Sequence, residues 1–528
     1  MYTPNFKNLV TDDIASRISN LGEPQKTPDD ILQSLSESIK KIDFAILAFP
    51  QLAKLRREIE ELEPIVYTGG VINEENEDEV KKYQQLQKKL KSLKLTKNHY
   101  LILCIEQLLK IAKVNNWGLC KKDGSIYIYN GCYWTEIDKE CFQFFLGNVA
   151  LRMGVEKFRG KIHTFKEDLF KQFMADAYLS TPKGKKDSVL INLQNGTFEI
   201  TSKKRGLRDF DPKDFITHQL PFEYNPQANS PLFQNYLNEV LPDPEKQKVL
   251  AEYCGSIFIN TSVLKLEKLL ILYGTGANGK SVFFEIISAL LGSENVSNYS
   301  LQSLTNDNGY YRAKIANKLV NYASEINGKL ESANFKLMAS GEPVEARLPY
   351  QDPFTLYTYA KLIFNCNELP KDVEQTEAFY RRFLIIGFDL TIPEEKQDKE
   401  LSKKIIGAEL SGVFNWILQG LDRLLIQKNF TKCKAAEEVI QTYKNESDSV
   451  KLFMDESGYE RCAETFIYMQ DIYPLYRSFC IDEGVPPVKK TNFRKRLGQH
   501  GFYVKRPTNG WVVYATIRGD KASEDVEF

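Results

Sequence analysis

The chain has 528 residues, several times a typical domain, and at about 150 residues per domain it predicts three or four units. Its 42% hydrophobic, 27% charged and 12% aromatic residues fit a soluble globular protein and exclude a fibrous or largely disordered one. Lys+Arg and Asp+Glu both total 70, so a nucleic-acid partner would have to be held by a local basic patch, not by a whole-chain field.

The first residues, MYTPNFKNLVTDDIASRISN, contain no basic segment followed by an apolar one, and no apolar run reaches the ~20 residues that cross a bilayer. A cytoplasmic protein without a membrane partner is expected. Nine Cys stand singly and His occurs only at 99, 163, 218 and 500, so reduced thiols are expected and a zinc site is not.

Residues 1–115 are charge-rich and helical in pattern. Leu52, Leu55, Ile59 and Leu62 recur at spacings of three and four, as do Val80, Tyr83, Leu86, Leu90 and Leu93, with the acidic link GGVINEENEDE between them. This predicts a helical hairpin, packed on itself or serving as a collar or oligomerisation element. From GSIYIYNGCYWTEID onward, alternating aromatic and polar residues around Asn130-Gly131 signal a β-hairpin, and VLINLQNGTFEI is a second hairpin-like piece. Residues 116–232 are accordingly expected to form one α+β domain. Residues 233–400 are expected to hold an α/β core with a preceding helix, 401–448 a helical segment, and 449–528 a small separate domain.

The stretch LLILYGTGANGKSVFFEII, residues 269–287, decides the chemistry of the core. Leu269, Leu270, Ile271 and Leu272 form an unbroken apolar run, as a strand buried on both faces should, and Phe283, Phe284, Ile287, Leu290 and Leu291 give the apolar face of a helix. Between them Gly274, Thr275, Gly276, Ala277, Asn278, Gly279, Lys280 and Ser281 satisfy G-x-x-x-x-G-K-[ST]. Glycines let backbone N–H groups close around phosphates and the helix N-terminus adds positive charge. Lys280 reaches the β- and γ-phosphates, and the Ser281 hydroxyl suits Mg²⁺. A nucleotide with Mg²⁺ is the expected ligand, and its use stays open at this point because kinases, switches and motors all share this loop.

Hydrolysis needs a carboxylate near the attacking water, a polar group at the γ-phosphate, and often an arginine from a neighbouring subunit. KLVNYASEI is a short apolar strand leading to Glu325; KLIFNCNELP is another leading to Asn367; FYRRFLIIGF places Arg381 and Arg382 just before a third. The order GTGANGKS, VNYASE, FKLMASGEPVEARLPYQDPF, KLIFNCNELP, YRRFLIIGF resembles a superfamily 3 helicase core of the phage/plasmid P4 or poxvirus D5 type. The likeness extends over roughly residues 120–515 and leaves the first 115 uncovered.

That resemblance implies an AAA+-like, superfamily 3 ATPase core, assembled as a homo-oligomeric ring, usually a hexamer, with ATP at subunit junctions and DNA in the channel. It implies Glu325 as the catalytic acid, Asn367 as the sensor, and Arg382, with Arg381 second, as the finger. Lys336 matches a lysine that could touch the neighbouring nucleotide. Ser324 stands where many such motors have a second acid, so metal binding would rest on Ser281 and water. EPVEARLPYQDPF aligns with a hairpin that dips into the channel, where Arg347 is the cation candidate and Tyr350 a stacking candidate; family members often carry a lysine where this chain has Gln351.

From 489 to 506 there are seven basic residues, Lys489, Lys490, Arg494, Lys495, Arg496, Lys505 and Arg506, and no acid. KKTNFRKRLGQHGFYVKRPTNGWVVYA reads as a helix capped by Thr491 followed by a two-stranded wing through Trp511 and Tyr514. With FIYMQDIYPLYRSFC before it, this resembles the winged-helix domain ending many P4-type proteins, expected to bind DNA mostly through phosphates. The expected function is a replicative DNA helicase of a phage, plasmid or other mobile element, acting on single-stranded and forked DNA, with a separate primase or polymerase as partner. The alternatives are the helicase part of a primase-helicase system and an ATP-gated loading protein. Residues 1–190 hold no zinc-ribbon cysteines and no pair of strand-end aspartates, so primase activity is not expected in this chain.

Overall fold

A computed structural model describes residues 27–518, apart from 69–70, 73–75, 116–117, 123–124, 178–187, 325, 327–329, 350–351, 371–372 and 486. The chain divides into two units, Met1–Lys185 with Asp209–His218, and Lys186–Arg208 with Gln219–Phe528.

In the first unit the helices Pro28–Ser38 and Lys97–Val114 bury Ile31, Leu35, Cys104 and Leu108 in one core with Ile126 and Ile128 of the strand Ser125–Tyr129 and Phe142 and Phe173 of two later helices. The helices Leu52–Val66 and Glu77–Ser92 form the expected hairpin, with Leu55, Ile59, Val66 and Tyr83 in a small core of their own. The expected boundary at 115 therefore cuts through a packed unit, since the flanking helices share their apolar faces with the strands that follow.

The expected α+β domain 116–232 is also divided. Its first sheet, Gly118–Lys122, Ser125–Tyr129 and Trp134–Ile137, stacks Trp134 on Phe215 in the first unit. Its second sheet, Val189–Leu193, Gly196–Ile200 and Arg205–Arg208, sends Val189, Ile191, Leu193 and Phe198 into the large core of the second unit.

That second core is built on five parallel strands: β1 (Leu269–Tyr273), β2 (Val296–Ser297), β3 (Val320–Ala323), β4 (Lys361–Cys366) and β5 (Phe383–Gly387). Their order across the sheet is β2-β3-β4-β1-β5. Ile363 lies opposite Leu270 and Phe383 opposite Leu269, so β1 is held on both edges. Leu269–Leu272 are fully buried, and each such side chain contributes on the order of 2 kcal/mol of burial. Helix α1 (Lys280–Leu291) follows β1, and α2 (Ser332–Ser340) precedes an antiparallel hairpin, Val344–Ala346 with Phe354–Leu356.

Residues 449–518 have their own core around Phe453, Tyr476, Phe493 and Leu497. They comprise helices Ser449–Glu456, Met469–Asp482 and α3 (Lys490–Gln499), a strand pair Tyr459–Arg461 with Ala515–Ile517, and a three-stranded sheet, Ile467–Tyr468, Val512–Val513 and Val504–Lys505. Helix α3 starts at Lys490, so Thr491 lies inside its first turn and is not the cap; the N-cap position is Lys489, without a side-chain cap hydrogen bond. The expected two-stranded wing has a third strand.

Candidate functional site

The turn between β1 and α1 is shaped by backbone that only a few residue types adopt. Gly276, Ala277 and Gly279 have φ of 114°, 49° and 84°, the left-handed region that favours glycine. A Cβ at Gly274 would sit 2.2 Å from Asn278 Nδ2 and 2.5 Å from the Phe388 carbonyl. At Gly279 it would meet Val240 Cγ1 at 2.8 Å.

Neighbouring elements hold this loop from both sides. Tyr236 donates its hydroxyl to the Gly279 carbonyl at 2.8 Å, Asn278 Nδ2 donates to the Phe388 carbonyl at 3.1 Å, and the Ile392 N–H donates to the Ala277 carbonyl at 2.8 Å. Because the loop is followed by Gly279 as N-cap, no side chain caps α1. Its first amides therefore face the loop without a side-chain acceptor, which is the donor set a phosphate needs.

Lys280 is buried and donates Nζ to the Gly274 carbonyl at 2.7 Å and to Asn278 Oδ1 at 3.0 Å. Desolvation lowers its pKa from the ordinary lysine value. Cys366, at the end of β4, has its thiol pushed up to about 12 by burial, partly offset by the Lys280 charge. Asn278 was expected to bind the nucleotide as part of the phosphate loop; its role as partner of both Lys280 and the backbone after β5 is visible only in three dimensions. Ser281 is exposed at the start of α1, and Thr275 is exposed in the loop. These groups, glycine-shaped backbone, uncapped amides, an ammonium and a hydroxyl, fit a nucleotide triphosphate with Mg²⁺.

Asn367 follows β4 directly and is exposed; the Cys366 carbonyl before it accepts from the Gly274 N–H at 3.2 Å, so the strand end and the loop start are neighbours. Asn365, two residues back, is instead buried and accepts from the Tyr322 hydroxyl at 3.1 Å. Glu325 lies outside the described residues; β3, two residues before it, pairs with β4.

The two arginines differ from expectation. Arg382, favoured as the finger, is buried: Nε donates to the Lys336 carbonyl at 3.2 Å and to Ser340 Oγ at 3.1 Å, and Nη1 donates to the Ala378 carbonyl. Its guanidinium is committed to α2 and to its own turn, as an uncompensated buried charge would not be tolerated. Arg381 is the one presented to solvent, in an ion pair with Glu267 at 3.3 Å. Lys336 also faces inward to a carboxylate, Glu374, at 2.8 Å. Burial works to raise the Glu374 pKa, but hydrogen bonds from Lys336, Ser332 and Thr376 prevail and hold it at about 2.

Arg347 is exposed at the tip side of the hairpin, its N–H donating to the Gly309 carbonyl at 3.2 Å; Tyr350 and Gln351 lie outside the described residues. In the terminal region Lys489, Lys490, Lys495, Lys505 and Arg506 are exposed. Arg494 lies 3.7 Å over the Trp511 ring. Arg496 departs from the expected basic face: it pairs with Asp448 at 3.3 Å, beside His500 at 2.8 Å, and is mostly buried.

Residues 107–242 match the family described as D5 N terminal like, and residues 445–528 the family described as Poxvirus D5 protein-like. Both matches are to D5-type families, one in the first half of the chain and one at its carboxyl-terminal end. Between those two matches, residues 272–382, from β1 through Arg382, match a family of unknown function (DUF5906). A putative helicase, L207/L206, of Acanthamoeba polyphaga mimivirus is 24% identical over 240 residues, which is 43% of this chain and 24% of that protein. The chain thus spans about a quarter of the length of that curated relative. Two apo structures of the NrS-1 C-terminal region are 13% identical, with TM-scores of 0.44 and 0.45; they cover 78% and 79% of this chain and 98% and 99% of theirs. Among the described residues no helix is long and apolar enough to cross a membrane, and no group of His, Cys, Asp and Glu is placed to hold a metal ion.

Proposed function

We propose that the chain is an ATP-driven DNA motor, a ring-forming helicase that translocates on DNA and separates a forked duplex during replication of a mobile element. The observation that carries this is the sheet itself. The phosphate loop leaves the carboxyl end of β1, β4 on one side is followed by Asn367, and β5 on the other is preceded by Arg381 and Arg382. A parallel sheet with a ligand loop at its carboxyl edge is where α/β folds bind nucleotides. The strand order supports an AAA+-like, superfamily 3 core.

In this reading the amides of residues 274–281 cradle the triphosphate, and Lys280 exchanges its contacts with Gly274 and Asn278 for the β- and γ-phosphates. Ser281 holds Mg²⁺, whose charge offsets that on the phosphates. Glu325 draws the proton from the attacking water, and Asn367 orients that water against the γ-phosphate. The exposed Arg381 is completed by, and completes, a neighbouring copy's site, with buried Arg382 fixing the turn that carries it. Arg347 follows the DNA backbone on the hairpin, and Lys489, Lys490, Lys495, Lys505 and Arg506 of a winged-helix-like terminal domain contact phosphates.

The test is ATP-dependent separation of a forked duplex by the full chain, with Lys280→Ala as the control. Unwinding by the wild type and none by the variant is expected. DNA-stimulated hydrolysis without strand separation would reject the motor and leave a loading protein.

A further inference from the structure

The outer face of the three-stranded terminal sheet carries a row of rings that neither the nucleotide site nor the basic helix uses. In that sheet Val513 lies opposite Ile467 and Val504, and Val512 opposite Tyr468 and Lys505. Ile467, Val513 and Val504 belong to the core of this region. Side chains alternate along a strand, so the next residues, Phe466, Tyr514 and Tyr503, turn to the other face. Their rings form a continuous strip: Phe466 to Tyr468 is 5.5 Å between centroids, Phe466 to Tyr514 is 5.9 Å, and Tyr514 to Tyr503 is 5.2 Å. Phe466 and Tyr503 are 47% and 61% exposed, unusual for rings this large.

A cavity of about 530 Å³ opens beside the strip, lined by Arg461, Cys462, Ala463, Gly501, Tyr503 and Tyr514. Arg461 is fixed in its wall, Nη2 donating to the His500 carbonyl at 2.8 Å. Gly501 makes that placement possible: its φ is 81°, and a Cβ there would come within 2.8 Å of Arg461 Cζ.

We propose that this strip and cavity bind unpaired bases of single-stranded nucleic acid, one base seated against Tyr503 and Tyr514 and the next against Phe466. Ring faces accept any base, and cations beside them meet the phosphates between bases. Both cations are present: Arg461 in the cavity wall, and Lys505, two residues from Tyr503 on the same strand and so on the same face. The run 489–506 that contains this strand has seven basic residues and no acid, and all but Arg496, which pairs with Asp448, suit a polyanion; Glu460, paired with Arg518, and Glu464 flank the cavity residues 461–463. The inference rests on the proposed function only in taking nucleic acid as the partner, and needs neither ATP nor a ring.

The experiment measures binding of the full chain, without nucleotide, to a fluorescent oligo-dT and to an abasic oligomer of the same length, at several salt concentrations. Tyr503→Ala is expected to weaken oligo-dT binding by about 5- to 140-fold for the stack removed. It should leave abasic binding and the salt slope unchanged, because phosphate contacts persist. Tyr503→Phe and Tyr503→Trp should bind as wild type, which separates stacking from damage to the fold. Bound oligo-dT should also slow alkylation of Cys462 by iodoacetamide, read by mass spectrometry. Equal affinity of wild type and Tyr503→Ala for oligo-dT, with Cys462 unprotected, would overturn the base platform, assign the rings to a protein contact, and leave the phosphate contacts standing. A chain that binds neither oligomer would overturn both this inference and the DNA-binding reading of the terminal domain.

Discussion

Replacing Arg382 and Arg381 one at a time with alanine separates an anchoring arginine from a presented one. Arg382→Ala strips the donor from three acceptors, Lys336 O, Ser340 Oγ and Ala378 O, in a buried site. A hydrogen bond from a charged group is worth about 1.5–3 kcal/mol net, but the three share one guanidinium and do not add. The scale for losing a buried charged network is about 3–5 kcal/mol. For a cooperative unit of 150–250 residues that is a fall in Tm of about 6–20 °C.

Arg381→Ala removes only an exposed pair with Glu267 at 3.3 Å, worth at most about 1 kcal/mol, so Tm should drop by less than about 4 °C. Thermal melts, equilibrium nucleotide binding and DNA-stimulated hydrolysis are measured on both variants. Arg381→Ala should fold and bind ATP but lose hydrolysis by about 10³-fold or more, the scale of a missing arginine finger. Mixing it with Lys280→Ala should restore part of the activity, since an intact arginine then meets an intact phosphate loop. An Arg382→Ala protein that melts within about 2 °C of wild type, yet loses hydrolysis rescued by the same mixing, would refute the reasoning: its guanidinium would be free to act as the finger.

The Glu374 carboxylate, held at about 2 against an ordinary 4.5, is stabilised most in its charged form. Its contribution is fully present above pH 4.5 and is lost as pH falls toward 2. The difference in melting temperature between wild type and Glu374→Gln should therefore be constant near neutrality and shrink below pH 4.5; a difference that stays flat down to pH 3 would count against the cluster with Lys336. Arg347→Ala should leave ATP binding intact, weaken single-stranded DNA binding alike across sequences, and reduce the salt slope by about 0.7, measured by fluorescence anisotropy; an unchanged slope would remove Arg347 from the backbone contacts.

What was legible in the sequence was local. The phosphate loop is read from eight consecutive residues because its conformation is set by glycines within it and by the apolar runs on either side. The fate of Arg382 was not readable, since two of its three acceptors sit on α2, 42 and 46 positions earlier in the chain. Arg496 was read with a basic face for the same reason: Asp448 lies 48 residues away. The division of 116–232 failed on a subtler point. Both of its sheets show the same alternation, and alternation says that one face is buried without saying against what; Phe198 and Trp134 chose different cores.

The misread residues also explain how the terminal domain is joined to the nucleotide core. Asp448 caps the helix Ser449–Glu456 through the N–H groups of Val450 and Lys451, while its carboxylate holds Arg496 and His500. The preceding Ser447 places its hydroxyl 2.6 Å from the Tyr380 hydroxyl, and its carbonyl accepts from Gln375 Nε2 at 2.7 Å. Gln375 adjoins Glu374, the partner of Lys336, and Tyr380 adjoins Arg381. Residues 374–382 are thereby held from α2 on one side and, on the other, from Ser447, which ends the helix leading into the terminal domain. Turning that domain away from the core would strain the contacts that Ser447, the residue before Asp448, makes with Tyr380 and Gln375. The proposed motor would need the arginine turn and the basic terminal surface held in place, and the contacts of Arg382 with α2 and of Arg496 with Asp448 brace the two regions.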